Sequence, residues 1–165
     1  MDVILDKHQI FYGAVPKTAC SSLKLAFFEL ENGFPFKPFV SNGRSRHIHN
    51  SGYATLPRAK YPEERIKDYF RVAMVREPIS RFLSAYGNRV IAHKELSMYK
   101  AEEGLTQANL EPTPDSDLYN ERFHEYRRAH PSILHHTRPS AFFLGTDASY
   151  FTKLYTPADM DQFVA

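Results

Sequence analysis

Val15-Pro16-Lys17-Thr18-Ala19-Cys20-Ser21-Ser22-Leu23-Lys24 is the stretch on which the fold turns. Before it, Gln9 to Val15 is a short apolar run with Phe11 and Tyr12, read as a buried strand bounded by Pro16. After it, Leu23, Ala26, Phe27 and Leu30 recur at helical spacing until Asn32-Gly33, a helix stop. The turn between strand and helix carries a lysine and two serine hydroxyls. Main-chain N–H groups of residues 18 to 22 can converge there on one anion, which the helix dipole also favours. The loop is not a Walker A loop, because Pro16 stands where a glycine would precede the lysine. The same residues also fit a plain strand-to-helix turn with solvated side chains.

A second corner repeats the arrangement. Phe70-Arg71-Val72-Ala73-Met74-Val75 reads as a strand of a parallel sheet buried on both faces. Arg76-Glu77-Pro78 follows, and Pro78 opens a helix with Ile79, Phe82, Leu83, Tyr86 and Val90 on one stripe. Arg76, through its guanidinium fork, and Ser84, through its hydroxyl, can approach one phosphate. Arg81 and Arg89 read as solvated or paired with acids. Two anion-favouring corners in one small chain imply a ligand with two separate phosphate-type groups.

Between the corners, Phe34 to Leu56 reads as irregular, with Pro35, Pro38, Gly43 and Gly52, and it is locally basic through Arg44, Arg46, His47 and His49. Arg44, Arg46, Arg58 and Lys60 make a basic stretch suited to an anionic acceptor or to solvent. Pro62-Glu63-Glu64 opens a short helix. Ala101 to Asp117 reads as a loop or lid, Asp117 to Ala129 as one helix stopped by His130-Pro131, and Ser140 to Leu144 as a strand. Thr156-Pro157-Ala158-Asp159 starts a helix that the chain leaves after two turns, as a C-terminally truncated domain would.

Bulk properties narrow the class. The 165 residues suit one domain, 1–165, and 42% hydrophobic with 14% aromatic content excludes a disordered chain. A net charge of +2 is too small for general nucleic-acid binding. The single cysteine, Cys20, cannot form an internal disulfide, so a reducing compartment is the default. No apolar run reaches the ~20 residues of a membrane span, and residues 1–7 are no signal peptide. The expectation is a soluble, cytoplasmic protein. His47-x-His49 lacks the partners of a metal site, so no metal is expected.

Taken in order, the two segments resemble the nucleotide-binding motifs of sulfotransferases that use 3′-phosphoadenosine 5′-phosphosulfate (PAPS). The 5′-phosphosulfate loop of that family, Pro-Lys-Thr-Gly-x-Thr-Ser-Leu, is matched by Pro16, Lys17, Thr18, Ser21, Ser22 and Leu23. Its 3′-phosphate motif, Arg followed by Asp, Asn or His and then Pro-x-x-Arg-x-x-Ser-x-Tyr, is matched by Arg76, Pro78, Arg81, Ser84 and Tyr86. Arg-Phe-Leu-Ser-Ala-Tyr and the run His135 to Gly145 look most like the carbohydrate-type branch of Golgi and bacterial enzymes. The chain departs from the pattern at Ala19 and Cys20, often glycine or small, and at Glu77.

The resemblance implies an α/β, P-loop-kinase-like three-layer fold, a parallel sheet flanked by helices. It implies in-line transfer of a sulfuryl group from PAPS to a hydroxyl, on a carbohydrate, with no metal. Lys17 would stabilise the leaving phosphate oxygen and the sulfonate, with the backbone of Thr18, Ala19, Cys20, Ser21 and Ser22 beside it. Arg76 and Ser84 would hold the 3′-phosphate. The general base would be a histidine from the basic loop, His49 first and His47 second, with His135 and His136 as rivals. Two other readings stay open: an ATP-dependent P-loop-like kinase, and a degenerate module that binds nucleotide without turnover.

Overall fold

The computed structural model describes residues 3–164. In chain order its elements are β1 (Val3–Leu5), β2 (Ile10–Gly13), α1 (Cys20–Asn32), β3 (Phe39–Ser41), β4 (Arg44–Arg46), α2 (Glu63–Ile66) and β5 (Phe70–Met74). There follow α3 (Pro78–Ala85), α4 (Met98–Gln107), α5 (Ser116–Glu121), α6 (Phe123–Ala129), α7 (Pro131–Thr137), α8 (Ser140–Leu144), β6 (Lys153–Tyr155) and α9 (Met160–Val164). They group into two compact units, the first made of residues up to Arg76 and from Pro139 onward, the second of Glu77–Arg138.

The first unit is α/β. Its sheet has the order β1-β2-β5-β6, with β1 antiparallel to β2 and the other pairs parallel. The expected parallel pairing of the two corner strands is present, with Tyr12 opposite Val72 and Gly13 opposite Ala73. Side chains alternate across the pleat. Val3, Leu5, Tyr12, Val72, Met74 and Tyr155 pack with Cys20, Leu23 and Phe27 of α1 on one face. Phe11 and Ala73 pack with Ile66, Phe143, Leu144 and Phe151 on the other. Burial on both faces explains why β2 and β5 read as continuous apolar runs rather than alternating ones. Helix α1 ends at Gly33, whose left-handed backbone donates its N–H to Glu29 O, as its sequence position predicts.

Ser140 to Leu144 is not a strand but the short helix α8, entered from Pro139, and it buries only Phe143 and Leu144. The third parallel strand is β6, whose three residues Lys-Leu-Tyr are too short to carry a periodic signal. Within the stretch expected to be irregular, β3 and β4 form a hairpin, Phe39 facing Arg46. Its turn is Asn42-Gly43 with both residues at positive φ, the dipeptide that a two-residue hairpin turn demands. The expected start at Thr156 is a capping box with Asp159, which accepts from the Thr156 N–H at 2.8 Å.

The second unit is helical. Val90, Leu96, Ala101, Leu105, Leu110, Tyr119, Tyr126 and Ile133 form its core. Residues 101–107 belong to helix α4, not to a loop or lid. Gly104 there is a close-approach residue: a Cβ would lie 2.2 Å from Ala129 O. The helix expected over 117–129 is broken at Arg122, whose guanidinium turns back to the carbonyls of Asn109 and Ala108. The stripe expected on α3 is only half used, since Ile79 and Leu83 are 69% and 56% exposed while Phe82 and Tyr86 pack against Tyr119. Past Ala85 the helix widens into a π-helical segment, Tyr86–Ala92. Among the described residues no helix is long and apolar enough to cross a membrane.

Candidate active site

The C-terminal ends of β2 and β5 lie abreast, because their pairing is parallel and in register. Ligands of parallel sheets sit at such ends. From β2 the chain enters the turn 14–19, in which Lys17 (φ 70°) and Ala19 (φ 62°) are both left-handed. That geometry suits glycine and is strained for residues with a Cβ. The turn is held from inside by Thr18, fully buried, whose hydroxyl donates to Val15 O at 2.9 Å. The proton of the Thr18 hydroxyl is thus engaged within the turn itself. Helix α1 starts with Ala19 as its cap, which makes no side-chain capping hydrogen bond. Ser21 and Ser22 are exposed there. The Cys20 thiol is buried, and burial pushes it up despite Lys24 and Lys17 nearby, which argues against a nucleophilic role.

Arg76 leaves β5 beside this turn and donates from Nη1 to Lys17 O at 3.3 Å. The two sequence motifs thus meet at their first residues. The second corner differs from the first in one respect. Helix α3 is capped by the Glu77 carboxylate, which accepts from Ile79 N at 2.8 Å and Ser80 N at 2.7 Å. Those N–H groups are occupied, so the expectation of anion-seeking backbone at this corner fails, and a phosphate there relies on side chains. It also gives the unusual Glu77 a role as cap. Ser84 lies half-buried on α3. Arg81 is not solvated: it is buried and donates to His136 O and Arg138 O. Arg89 does pair with Glu95, at 3.4 Å.

His49 comes to the first corner. Its Nε2 lies 2.8 Å from Ser21 Oγ and its Nδ1 lies 3.3 Å from Lys24 Nζ. Lys24, which the sequence reading passed over, is 0% exposed and also donates to Tyr53 O at 2.5 Å and Thr55 Oγ1 at 2.9 Å. Its signal was present: a charged residue on the same helical stripe as Cys20, Leu23 and Phe27. His47 is exposed, and its Nδ1 accepts the His49 N–H at 3.3 Å. His135 and His136 lie on α7 of the second unit, the latter giving its carbonyl to Arg81.

Beyond the histidines an open cleft of about 510 Å³ is lined by Phe28, Phe34, Pro35, Phe36, Lys37, Phe39 and Ser51. Ser51 Oγ donates to His47 O at 2.7 Å, so cleft and histidines share a wall. Cross-strand pairing puts Arg46 on the same hairpin face as Phe39, and Arg44 two residues along. Arg58 is not part of this basic face. It pairs with Glu63 and stacks over the Tyr150 ring at 3.9 Å.

Comparison with known proteins gives the family of the chain. The sulfotransferase family model matches residues 3–143, which include both corners. The chain belongs to the sulfotransferase family. Among curated relatives, carbohydrate sulfotransferase 11 of Rattus norvegicus is 30% identical over 101 residues, 59% of this chain and 28% of that protein. Carbohydrate sulfotransferase 11 of Danio rerio is 32% identical over 90 residues, 53% of this chain and 25% of that protein. Carbohydrate sulfotransferase 14 of Homo sapiens is 30% identical over 120 residues, 70% of this chain and 31% of that protein. The chain therefore spans 25% to 31% of the length of these sulfotransferases. No solved structure matches it significantly.

Proposed function

We propose that this chain carries the donor-binding core of a PAPS-dependent sulfotransferase that modifies a carbohydrate hydroxyl, on a P-loop-kinase-like α/β framework. The observation that carries the reading is the hydrogen bond from Arg76 to Lys17 O, which joins the two nucleotide motifs at the ends of parallel strands. An uncapped helix start, a lysine and two exposed serines fit the 5′-phosphosulfate group. The Arg76 guanidinium receives the 3′-phosphate, a group to which the sequence motif also assigns Ser84.

Charge grows on the leaving and equatorial oxygens during an in-line sulfuryl transfer, so fixed donors are the main resource of the site. Lys17 and the backbone from Thr18 through Ala19, Cys20, Ser21 and Ser22 supply them. His49, against Ser21, is the group assigned to the acceptor's proton, ahead of His47. The carbohydrate itself is received over the cleft beside the histidines, sugar faces on Phe34, Phe36 and Phe39 and any acidic substituents toward Lys37, Arg44 and Arg46. The names of the similar proteins support a carbohydrate acceptor.

Calorimetric binding of 3′-phosphoadenosine 5′-phosphate, beside ADP and magnesium ATP, tests the donor assignment. Preference for the 3′-phosphorylated nucleotide is the expected result. Preference for magnesium ATP would move the chain to a kinase-like activity, and no binding of any nucleotide would leave a degenerate module.

A further inference from the structure

Lys24 is a lysine with no exposed surface, held in the first turns of α1 by three acceptors: Tyr53 O, Thr55 Oγ1 and His49 Nδ1. An ammonium has three protons and no lone pair. With Lys24 as the ammonium, the contact to His49 forms only if Nδ1 offers its lone pair. A neutral imidazole then carries its proton on Nε2, and at 2.8 Å that proton points to Ser21 Oγ. The Ser21 hydroxyl accepts from the ring, so its own proton is turned elsewhere, toward the start of α1 where the donor's anionic groups are assigned.

We propose that Lys24 is a positioning residue that fixes both the orientation and the tautomer of His49, so that Lys24 and His49 handle the acceptor's proton as a pair. This rests on the assignment of His49 under Proposed function and deepens it. In the resting pair the lysine is an ammonium and the ring proton is on Nε2, a form that cannot take another proton at Nε2 while the Lys24 contact lasts. The competent form has one proton fewer, with Nδ1–H donating to the Lys24 amine and the Nε2 lone pair facing outward. From it, the acceptor oxygen bonds to sulfur as the bond from sulfur to the phosphate oxygen breaks. The hydroxyl proton passes to Nε2, and the Nδ1 proton passes to Lys24 Nζ. The resting pair is restored and one proton leaves to solvent before the next turnover.

Cys20 lies within electrostatic reach of both Lys24 and Lys17, His47 Nδ1 accepts the His49 N–H, and Tyr53 gives its carbonyl to Lys24. Ser21 Oγ and Lys24 Nζ are hydrogen-bonded to the two ring nitrogens of His49, one on each side.

The test is the nitrogen-15 NMR signature of the His49 imidazole in the full chain near neutral pH, without any substrate. Expected is an unprotonated Nδ1 and a protonated Nε2. A protonated Nδ1 in the unaltered protein would overturn the proposal outright, with no variant needed. Ser21→Ala is expected to leave the tautomer unchanged, and Lys24→Met to give a mixture of tautomers. A Lys24→Met protein that still binds 3′-phosphoadenosine 5′-phosphate but keeps the Nε2–H form would also overturn it. In transfer assays Lys24→Met lowers kcat ten-fold or more, leaves the donor KM unchanged and shifts the ascending limb of the pH profile. Because the tautomer is read without turnover, the two failures are told apart: absence of sulfotransferase activity would sink the functional reading and the proton-handling role with it, whereas a wrong tautomer in an active protein would sink this inference alone.

Discussion

Arg76 Nη1 lies 3.3 Å from the carbonyl oxygen of Lys17, although 58 residues separate them in the chain. The parallel register of β2 and β5 makes the contact, since strands aligned at Gly13 and Ala73 release their chains side by side. A guanidinium that braces the loop with one nitrogen keeps others for a phosphate. Arg76→Ala is therefore expected to weaken 3′-phosphoadenosine 5′-phosphate by about 2 kcal/mol, some thirty-fold, and ADP much less. Arg76→Lys should recover little, because a point charge replaces a fork. Calorimetry with both nucleotides checks this, and equal losses would remove the 3′-phosphate from Arg76.

Ala19 sits at φ 62°, a conformation that suits glycine. The left-handed conformation costs an alanine about 1–2 kcal/mol, while glycine adds about 0.5–1 kcal/mol of unfolded-state entropy. Ala19→Gly should stabilise the protein by about 0.5–1 kcal/mol, raising Tm by about 1–4 °C. Thermal unfolding measures it; a lower Tm would mean that the Cβ packs usefully in the loop.

Phe39 is 51% exposed and lines the cleft. Its replacement by alanine should cost little stability, within about 0.5–1 kcal/mol, because little of it is buried on folding. A several-fold rise in KM for the carbohydrate acceptor is expected, with the donor KM unchanged. A rise in both would place Phe39 in general folding rather than acceptor contact.

Three carboxylates anchor exposed turns. Hydrogen bonds from the Arg65 and Tyr69 side chains hold Asp6 below the usual carboxylate range, those from Ser149 hold Asp147 there, and those from Thr156 hold Asp159. A carboxyl whose folded pKa is depressed stabilises the fold above its unfolded value, near 3.8 here, and loses that contribution as pH falls through the folded value. Urea denaturation should accordingly show stability steady from pH 7 to 5 and falling below pH 4. In Asp159→Asn the acid-side fall should be shallower, and an unchanged slope would remove the capping box from the pH dependence.

Much of the architecture around the two corners was legible because its signals are local. A strand, a lysine-bearing turn and a helix follow one another within Gln9 to Asn32, and each segment announces itself by period or by punctuation. The same holds for Phe70 to Ala85. Signals failed where tertiary contacts overrode them. Gly104 reads as loop punctuation but is the small residue that lets α4 approach Ala129. Ser140 to Leu144 has the composition of a strand, yet only two of its residues face the core. Lys24 could not be placed from sequence because its partners Tyr53, Thr55 and His49 lie 25 to 31 residues away. Glu77 departs from the family motif, and the structure gives the reason: its carboxylate caps α3.

The most direct measurement is transfer of labelled sulfate from PAPS to a panel of desulfated polysaccharides, with magnesium ATP as the control donor, for the unaltered protein and for Lys17→Ala. Expected is sulfate incorporation by the unaltered protein, no phosphate incorporation, and a loss of about a hundred-fold or more in Lys17→Ala while the protein stays folded. Undiminished transfer by Lys17→Ala, or phosphate moved in place of sulfate, would contradict the assignment of this loop to sulfuryl transfer.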